Sequence, residues 1–366
     1  LHQQDLGKGM TLPALAGYFT RMVFVSPTAY NRDHEKFKQM PVYSGPFKIV
    51  EYKHNQRVVM ERFKDYYIKN RPYLDRIEIL YLPDANQRLN TLRAGEIDMI
   101  FSVPLGLVST LEKTPGVKLH SGKTAVPLAA SINNQRGPWK DVRVRRALGC
   151  HGINRELIAK TALRGLTQPW ATFAAPGARD AIDLTGECPY DPAKAKALLA
   201  EAGFGPQKPF KFAMVIQNTS PLYLEVAQLM KTTYSEIGVE MDIQVLDRAS
   251  WMNQFVFKRA VDMTLQDTIP TLDFNSNSHT FYSKTFLDYL MMKDPKLDAM
   301  VEQWRSSIDP KKQLEISHNL QRYIVEQAYN PIIAGSPFIQ AAREYVKGYE
   351  FHDKLYFTMR DVWLDK

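Results

Sequence analysis

Hydrophobic and polar positions alternate with a period of two in the first part of the chain. The alternation covers residues 47–51 and 58–62 and is interrupted by a His54-Asn55 turn. Because a half-buried strand presents every second side chain to the core, the pattern predicts an antiparallel hairpin.

The next segment combines strand and helix signals. Residues 77–81 have the pattern of a strand, Asp84 is a suitable N-cap for a helix that Gly95 ends, and residues 97–101 have the pattern of a second short strand. Strand, helix and strand at this spacing are typical of a right-handed parallel crossover, so the segment predicts an α/β lobe.

A second block of strands and helices begins at Ser131. Asp141, Asn154 and Asp191 each stand at the start of a helical pattern, where a side-chain oxygen can cap free backbone N–H groups. Further along, apolar runs alternate with helical periods, which predicts a second α/β lobe. These later predicted elements are strands at 210–216, 239–245, 261–265 and 331–334 and helices at 223–237, 251–257, 295–307 and 310–327.

The composition indicates a folded protein of more than one lobe. A chain of 366 residues exceeds what one hydrophobic core usually serves, and a hydrophobic content of 45% excludes a disordered chain. No apolar run reaches the length of about 18 residues that a membrane span needs. We therefore predict two or more lobes and no transmembrane helix.

The net charge of +8 points to an anionic partner such as nucleic acid only if the positive charge is concentrated on one surface. The densest basic cluster, Arg143, Arg145 and Arg146, lies in a helical pattern among apolar residues. We interpret it as the solvated side of that helix, so nucleic acid is not predicted as a partner.

The sequence lacks the common catalytic and metal-binding patterns. Its eight histidines have no metal-site spacing, and it contains neither a phosphate-binding glycine-rich loop nor a Gly-x-Ser-x-Gly motif. Cys150 and His151 are neighbours, so on a helix their side chains diverge. We predict no catalysis, no metal and no cofactor; two α/β lobes without catalytic residues favour a cleft that encloses a ligand.

The two cysteines, Cys150 and Cys188, exclude a disulfide-rich scaffold and any four-cysteine metal site. They form either one disulfide, in an oxidising compartment, or two buried thiols. We favour the buried thiols.

Four motifs occur in order along nearly the whole chain. The first is Tyr43-Ser44-Gly45-Pro46-Phe47, and the second is Arg71-Pro72-Tyr73-Leu74-Asp75 with Leu92-x-Ala94-Gly95-Glu96-Ile97-Asp98 after it. The most specific is Ile132-Asn133-Asn134-Gln135-Arg136-Gly137-Pro138-Trp139, which leads into Asp141-Val142-Arg143-Val144-Arg145-Arg146, and the last is Tyr190-Asp191-Pro192-Ala193-Lys194. Together they resemble the family 5 extracellular solute-binding proteins, the peptide and nickel type that serve ABC importers.

That resemblance implies an α/β fold with the two-lobed, type II (Venus-flytrap) architecture of periplasmic binding proteins, with an extra subdomain only partly present. Residues 1–42 would be the remnant of that subdomain and residues 43–122 the first part of lobe 1. Residues 123–337 would form lobe 2, and residues 338–366 would return to lobe 1. A further N-terminal part is expected to precede residue 1.

The resemblance also implies candidate ligand contacts. In peptide-binding members an aspartate that follows a strand of the second lobe pairs with the α-amino group of the peptide. Asp267 is the better match and Asp273 the second choice, and the alternative for either is a loop aspartate that makes an Asx-turn. Trp170, in a segment that the family places at the cleft, is either a stacking platform or an ordinary core residue.

Four further residues are weaker candidates. Asn133 and Asn134 lie near the expected crossing between the lobes, where they either hydrogen-bond the ligand or, as we favour, brace the hinge. Arg136 and Arg259 are candidates for a ligand carboxylate, because a guanidinium group binds a carboxylate with two parallel hydrogen bonds.

The implied function is that of a non-enzymatic periplasmic receptor. The resemblance also implies that the complete protein is a monomer. As the substrate-binding component of an ABC importer, it would capture a peptide or peptide-like solute in an interlobe cleft and deliver it to the permease in the inner membrane. The alternatives are a solute-sensing or chaperone-like module of the same fold, or a non-peptide ligand such as an opine, a metal chelate or an oligosaccharide.

Overall fold

The computed structural model divides the chain into two compact units. The five-strand unit comprises the described residues within 126–337, and the split unit comprises those within 25–122 and 338–366. In these ranges no helix is long and apolar enough to cross a membrane. The described residues are 25–122, 126–268, 280–285, 288, 290–351 and 358–366, so the predicted subdomain remnant before residue 25 lies outside them.

Helices and short strands succeed one another along the described chain. The helices are α1 (Pro27–Arg32), α2 (His34–Gln39), α3 (Ala85–Ala94), α4 (Val108–Glu112), α5 (Val142–Arg145), α6 (Arg155–Thr161), α7 (Pro192–Glu201), α8 (Pro221–Glu236), α9 (Arg248–Met252), α10 (Pro295–Ser306) and α11 (Pro310–Glu326). The strands are β1 (Phe47–Lys53), β2 (Arg57–Arg62), β3 (Arg76–Leu80), β4 (Met99–Ile100), β5 (Val117–Ser121), β6 (Pro127–Ile132), β7 (Phe210–Gln217), β8 (Val239–Leu246), β9 (Met263–Asp267), β10 (Ile332–Gly335), β11 (Ile339–Arg343), β12 (Val346–Lys347) and β13 (Trp363–Leu364).

The sheets of the split unit are antiparallel. One sheet has the order β1-β2-β3, which confirms the predicted hairpin and the third strand beside it. A second sheet has the order β4-β11-β5, and β12 pairs with β13 in a short third one. Buried side chains of α3, α4 and the second sheet form the core of this unit.

The predicted parallel crossover in this unit is wrong. The helix itself is confirmed, since Asp84 caps α3 and Gly95 ends it with a positive φ of 77°. However, β3 and β4 belong to different sheets, because β4 pairs with β11 from the far end of the chain. Local periodicity carries no information about a partner so distant in sequence.

The five-strand unit contains one mixed sheet of order β10-β6-β9-β7-β8. β7 is parallel to both β8 and β9, whereas β6 is antiparallel to β9 and to β10. All six residues of β6 are buried, and α10 and α11 pack against each other beside a core rich in aromatic side chains. The predicted second α/β lobe is confirmed in the strands and helices listed for it, whereas β6 and the directions of the strands were not predicted.

Arg145 corrects the interpretation of the basic cluster as a solvated surface. Arg143 is exposed, but the side chain of Arg145 is buried. Its guanidinium donates hydrogen bonds to the carbonyls of Trp139 (2.8 Å) and Gln327 (2.8 Å), and it stacks over the ring of Tyr329. Burial lowers the pKa of this group. A buried arginine is tolerated here because main-chain carbonyls take the place of water.

A second buried arginine holds together the centre of the five-strand unit. Arg155 donates to the carbonyls of Ile332 (2.8 Å), Gly149 (2.9 Å), Cys150 (3.1 Å) and Cys188 (3.2 Å). Burial lowers the pKa of its guanidinium to about 10, so the group stays protonated at neutral pH. One side chain thus satisfies carbonyls of three segments that are far apart in sequence.

A disulfide joins Cys150 and Cys188, so the favoured interpretation as two thiols is wrong. Both residues are buried with Leu184 and Val325 in a small apolar cluster. Packing brings their Cα atoms to 4.6 Å, which is within the range of a disulfide, and this proximity could not be read from a separation of 38 residues.

We expect Arg155→Met to lower the free energy of unfolding by about 3 kcal/mol or more, because it leaves buried carbonyls without donors. Urea unfolding measures the loss. Arg322→Met, at an exposed position of α11, is the matched control and should change the free energy by less than about 0.5 kcal/mol. Equal urea midpoints for the two variants would contradict the role given to Arg155.

We expect the double variant Cys150→Ala/Cys188→Ala to have a free energy of unfolding lower by about 4 kcal/mol. The disulfide closes a loop of 38 residues and thereby restricts the unfolded chain. Thermal unfolding with and without a reductant measures the effect. Reductant should lower the Tm of the wild-type protein and leave that of the double variant unchanged. Insensitivity of both proteins would show that the bond contributes nothing to stability.

Candidate functional site

The ends of four strands meet at one edge of the five-stranded sheet. β7, β8 and β9 are parallel, and β10 has the direction of β9 because both are antiparallel to β6. Residues at or just after the carboxyl ends of these strands therefore lie along the same edge, here called the carboxyl edge. This edge is where open α/β sheets bind their ligands. Polar residues described along this edge include Gln217, Arg248, Asp267 and Ser336.

Asp267, the last residue of β9, places a carboxyl group at the carboxyl edge. It is exposed, yet the surrounding protein raises the pKa of its carboxyl by desolvation, while hydrogen bonds from the hydroxyls of Ser336 and Tyr223 work in the opposite direction. Its main-chain N–H donates to the Tyr223 hydroxyl oxygen at 3.3 Å. The carboxylate is therefore oriented by two hydroxyls at a position where the surrounding protein disfavours its charge, which suits it to accept a cationic group.

Tyr223 reaches the site from the first turn of α8. Ser220 caps this helix, and Pro221 occupies its first turn, where a missing N–H costs nothing. Desolvation raises the pKa of the phenol first, and the negative charge of Asp267 raises it further. Tyr223 therefore remains a neutral hydrogen-bond donor at physiological pH.

Arg248 and Gln217 add a second polar group to the edge. Gln217 ends β7 and is buried, whereas Arg248 begins α9 and is exposed. The guanidinium Nη1 of Arg248 lies 3.5 Å from the Gln217 Oε1 atom. Next to Asp267, the Thr268 hydroxyl is buried and has no hydrogen-bond partner among the described residues.

The other predicted polar candidates lie at the opposite end of the sheet. Leu128 pairs with Asp267 across β6 and β9, and Asn133 is five residues further along the chain. At about 3.3 Å per residue, Asn133 is roughly 17 Å from Asp267. The Asn133 side chain donates to the carbonyl of Arg259 (2.9 Å), and Arg136 forms an ion pair with Asp262 (2.5 Å). The structure does not bring these residues together with Asp267.

Asn134 belongs to the same far end and is buried. Its Nδ2 atom lies within hydrogen-bond distance of the carbonyls of Leu290 (2.8 Å), Ile132 (3.1 Å) and Tyr329 (3.1 Å). These contacts connect the end of β6 to the segments before α10 and after α11. The position is that of a bracing side chain within the five-strand unit.

Trp170 lies beside the edge strand β10, where its main-chain N–H donates to the Ile333 carbonyl (3.1 Å). The indole N–H donates to the carbonyl of Ala174 (2.7 Å), and the half-buried ring packs against the core of the unit. Its neighbour Pro169 forms a β-bridge with Ala334, near the carboxyl end of β10. Ala334 pairs with Leu128 of β6, which in turn pairs with Asp267 of β9, so Ala334 and Asp267 are two strands apart. Asp273 lies outside the described residues.

Metal binding has no support in the part of the chain that the structure describes. No group of three or more His, Cys, Asp or Glu side chains there is placed to hold an ion. The arrangement at the carboxyl edge is that of a recognition site, which combines the carboxylate of Asp267, the guanidinium of Arg248 and the hydroxyls of Tyr223 and Ser336.

Comparison with known proteins decides the family. Residues 9–287 match the family of bacterial extracellular solute-binding proteins, family 5. The chain belongs to this family. Its structural neighbours are two-lobed periplasmic binding proteins, so the chain has the type II fold that the motifs imply.

Two relatives with different solutes are similar over most of the chain. The nickel-binding protein NikA of Staphylococcus aureus is 27% identical over 85% of this chain and 63% of its own length. The oligopeptide-binding protein AppA of Bacillus subtilis is 27% identical over 93% of this chain and 65% of its own. The chain thus spans less than two thirds of the length of either relative.

Solved structures of family members support the fold. NikA of S. aureus, in complex with Ni(L-His)2, superposes with a TM-score of 0.78 at 24% identity, over 88% of this chain and 70% of NikA. AppA of B. subtilis, in complex with a nonapeptide, superposes with a TM-score of 0.78 at 25% identity. The match covers 88% of this chain and 66% of AppA. AgaA from A. tumefaciens R10, in complex with agropinic acid, superposes with a TM-score of 0.78 at 21% identity. The match covers 93% of this chain and 71% of AgaA.

Four residues of the carboxyl edge did not emerge from the sequence: Gln217, Tyr223, Arg248 and Ser336. Gln217, Arg248 and Ser336 stand within three residues of the end of a predicted strand, and Tyr223 is the first residue of a predicted helix; these positions are the signal that the sequence offers. The missing information was the order and direction of the strands, which alone shows that these ends meet.

We expect Tyr223→Phe to raise the pKa of Asp267 further, because one hydrogen bond to the ionised carboxylate is lost while the ring is kept. Ser336→Ala should act in the same direction. A pH titration of the carboxyl carbon by NMR measures both shifts. A pKa unchanged in both variants would show that the hydroxyls do not hold the carboxylate.

Proposed function

We propose that the protein is the solute-binding component of an ABC importer, which captures a peptide or peptide-like solute and delivers it to a membrane permease. Asp267 pairs with the α-amino group of the solute. The observation that carries this proposal is the carboxyl group of Asp267 at the carboxyl edge, whose pKa the surrounding protein raises and which accepts hydrogen bonds from the hydroxyls of Ser336 and Tyr223. Such a group gains most from a cation that replaces its lost hydration.

The family supports the transport role, and one relative, AppA, is an oligopeptide-binding protein. The Cys150–Cys188 disulfide supports a location in an oxidising compartment such as the periplasm. The named relatives are binding proteins, and the carboxyl edge offers recognition groups, so we propose binding without catalysis.

Capture of a mixed tripeptide library by the protein, followed by native mass spectrometry, tests the ligand class and supplies a peptide for calorimetry. We expect Asp267→Asn to weaken binding by about 30-fold or more, because the ammonium group loses its counter-charge. Asp242→Asn, which removes an exposed carboxylate in the middle of β8, is the matched control and should bind as the wild type does.

The pH dependence gives a second readout of the same proposal. Since desolvation by the surrounding protein raises the pKa of the Asp267 carboxyl, this group becomes protonated at a pH above the ordinary aspartate value of about 4. The affinity for the peptide should therefore fall as the pH decreases through that raised pKa. In the Asp267→Asn variant this loss of affinity at low pH should be absent. Capture of no peptide, or equal affinity of the Asp267→Asn and Asp242→Asn variants, would contradict the proposal.

A further inference from the structure

His151 is a buried titratable group of the five-strand unit, at the end of the π-helical turn Arg146–His151 that follows α5. Its side chain is fully buried, with 0% of its surface exposed. The ring Nδ1 atom lies 3.1 Å from the Pro189 carbonyl, and because a carbonyl only accepts, Nδ1 carries the ring hydrogen. The other nitrogen, Nε2, is then an acceptor, and it has no hydrogen-bond partner among the described residues.

The surroundings of the ring disfavour a second proton. Desolvation is the main cause that lowers the pKa of the imidazole. The Pro189 carbonyl works in the opposite direction, whereas the positive charges of Lys194 and Arg146 lower the pKa further. The carboxylate of Asp191 raises it. A proton on Nε2 would be a buried charge without an acceptor, which is strongly unfavourable.

Two further ionisable groups reach the π-helical turn from α6 and α8. Arg155 of α6 donates to the carbonyl of Cys150, the residue before His151. Tyr234 of α8 donates to the carbonyl of Leu148 (3.1 Å). Burial raises the pKa of the Tyr234 phenol, so it stays neutral, and Arg155 stays protonated. Neither group changes its charge near neutral pH, where a histidine does.

The neutral ring fastens the start of α7 to the π-helical turn. Its Nδ1–H holds the Pro189 carbonyl, and the main-chain carbonyl of His151 accepts the N–H of Asp191 (3.0 Å), the N-cap of α7. α7 packs against the same turn. The disulfide between Cys150 and Cys188 fixes the residue just before this segment. Movement of the segment is thus confined to the chain after Cys188.

We infer that His151 is an acid-sensitive latch for α7. As a neutral imidazole it keeps residues 189–191 and the start of α7 on the π-helical turn. Protonation of its Nε2 atom releases them, while the disulfide keeps Cys188 in place. The latch needs no solute, so it goes beyond the proposed function and is independent of Asp267.

Proton linkage gives the sign and the size of the response. The pKa of the imidazole in the latched state lies below the ordinary value of about 6.5, which the ring regains once it is released. Release therefore takes up a proton, so its equilibrium constant rises as the pH falls below about 6.5 and levels off below the lowered pKa. From about pH 7.5 to about pH 5.5 it should rise several-fold, with about tenfold as the limit for one proton.

Hydrogen exchange of the whole, solute-free protein at these two pH values measures the release. The exchange rate of each amide, divided by the intrinsic rate at the same pH, gives the constant for opening. We expect this constant to rise at the lower pH for the amides of α7 and not for those of α11, a helix of the same unit outside the latch. Equal constants for α7 at both pH values, or a parallel rise in α11, would overturn the latch.

Two variants assign the response to one histidine. His151→Gln keeps a side-chain N–H for the Pro189 carbonyl but does not titrate, so α7 should open equally at both pH values. His318→Gln removes a half-buried histidine of α11 and should keep the response of the wild-type protein. A response of α7 that persists in His151→Gln, or one that disappears in His318→Gln, contradicts the inference.

Nitrogen NMR of the wild-type imidazole remains decisive if His151→Gln does not fold. We expect the ring hydrogen on Nδ1 and a bare Nε2 at neutral pH, with a pKa below the ordinary histidine value. A hydrogen on Nε2 at neutral pH, or a pKa of about 6.5 or above, would rule out the latch. Neither experiment involves a solute, so failure of the latch leaves the proposed role of Asp267 untouched.

Discussion

The five-strand unit depends on one buried charge. The guanidinium of Arg155 is taken out of water, and carbonyls of Gly149, Cys150, Cys188 and Ile332 solvate it instead. Each of these buried carbonyls would destabilise the folded state if it lacked a hydrogen-bond donor. The charged guanidinium and the four carbonyls around it, here called the carbonyl shell, are therefore stable only together. The disulfide lies within this shell, and β10, which leads to the carboxyl edge, is positioned by it.

Signals that act within a few residues were sufficient to predict many elements. The sequence predicts Asp84, Asn154 and Asp191 as N-caps because their side-chain oxygens can accept backbone N–H groups, and each caps the expected helix. The hairpin of the split unit and the strands β7 and β8 follow from periodicity in the same way. The family and its two-lobed fold came from the motifs, which the comparisons confirm.

Features that depend on contacts between distant segments were not predictable. Arg145 and Arg143 look alike in the helical pattern, but only Arg145 meets the carbonyl of Gln327, which lies far along the chain. Asn133 and Asp267 are both polar residues at strand ends, and the antiparallel direction of β6 places them at opposite ends of the sheet. Strand direction and sheet order decide such questions, and neither is encoded in local periodicity.

The separation of Arg155 from the carboxyl edge has an evolutionary consequence. Asp267 and Arg248 stand at exposed positions where strands end, away from the buried carbonyl shell that stabilises the unit. With Asp267 in the role proposed for it, its exchange would alter ligand preference at little cost in folding free energy, since surface substitutions are usually nearly neutral for stability. A scaffold built in this way can diversify its solutes by single substitutions, and the same positions are the natural ones to vary when such a protein is redesigned as a sensor.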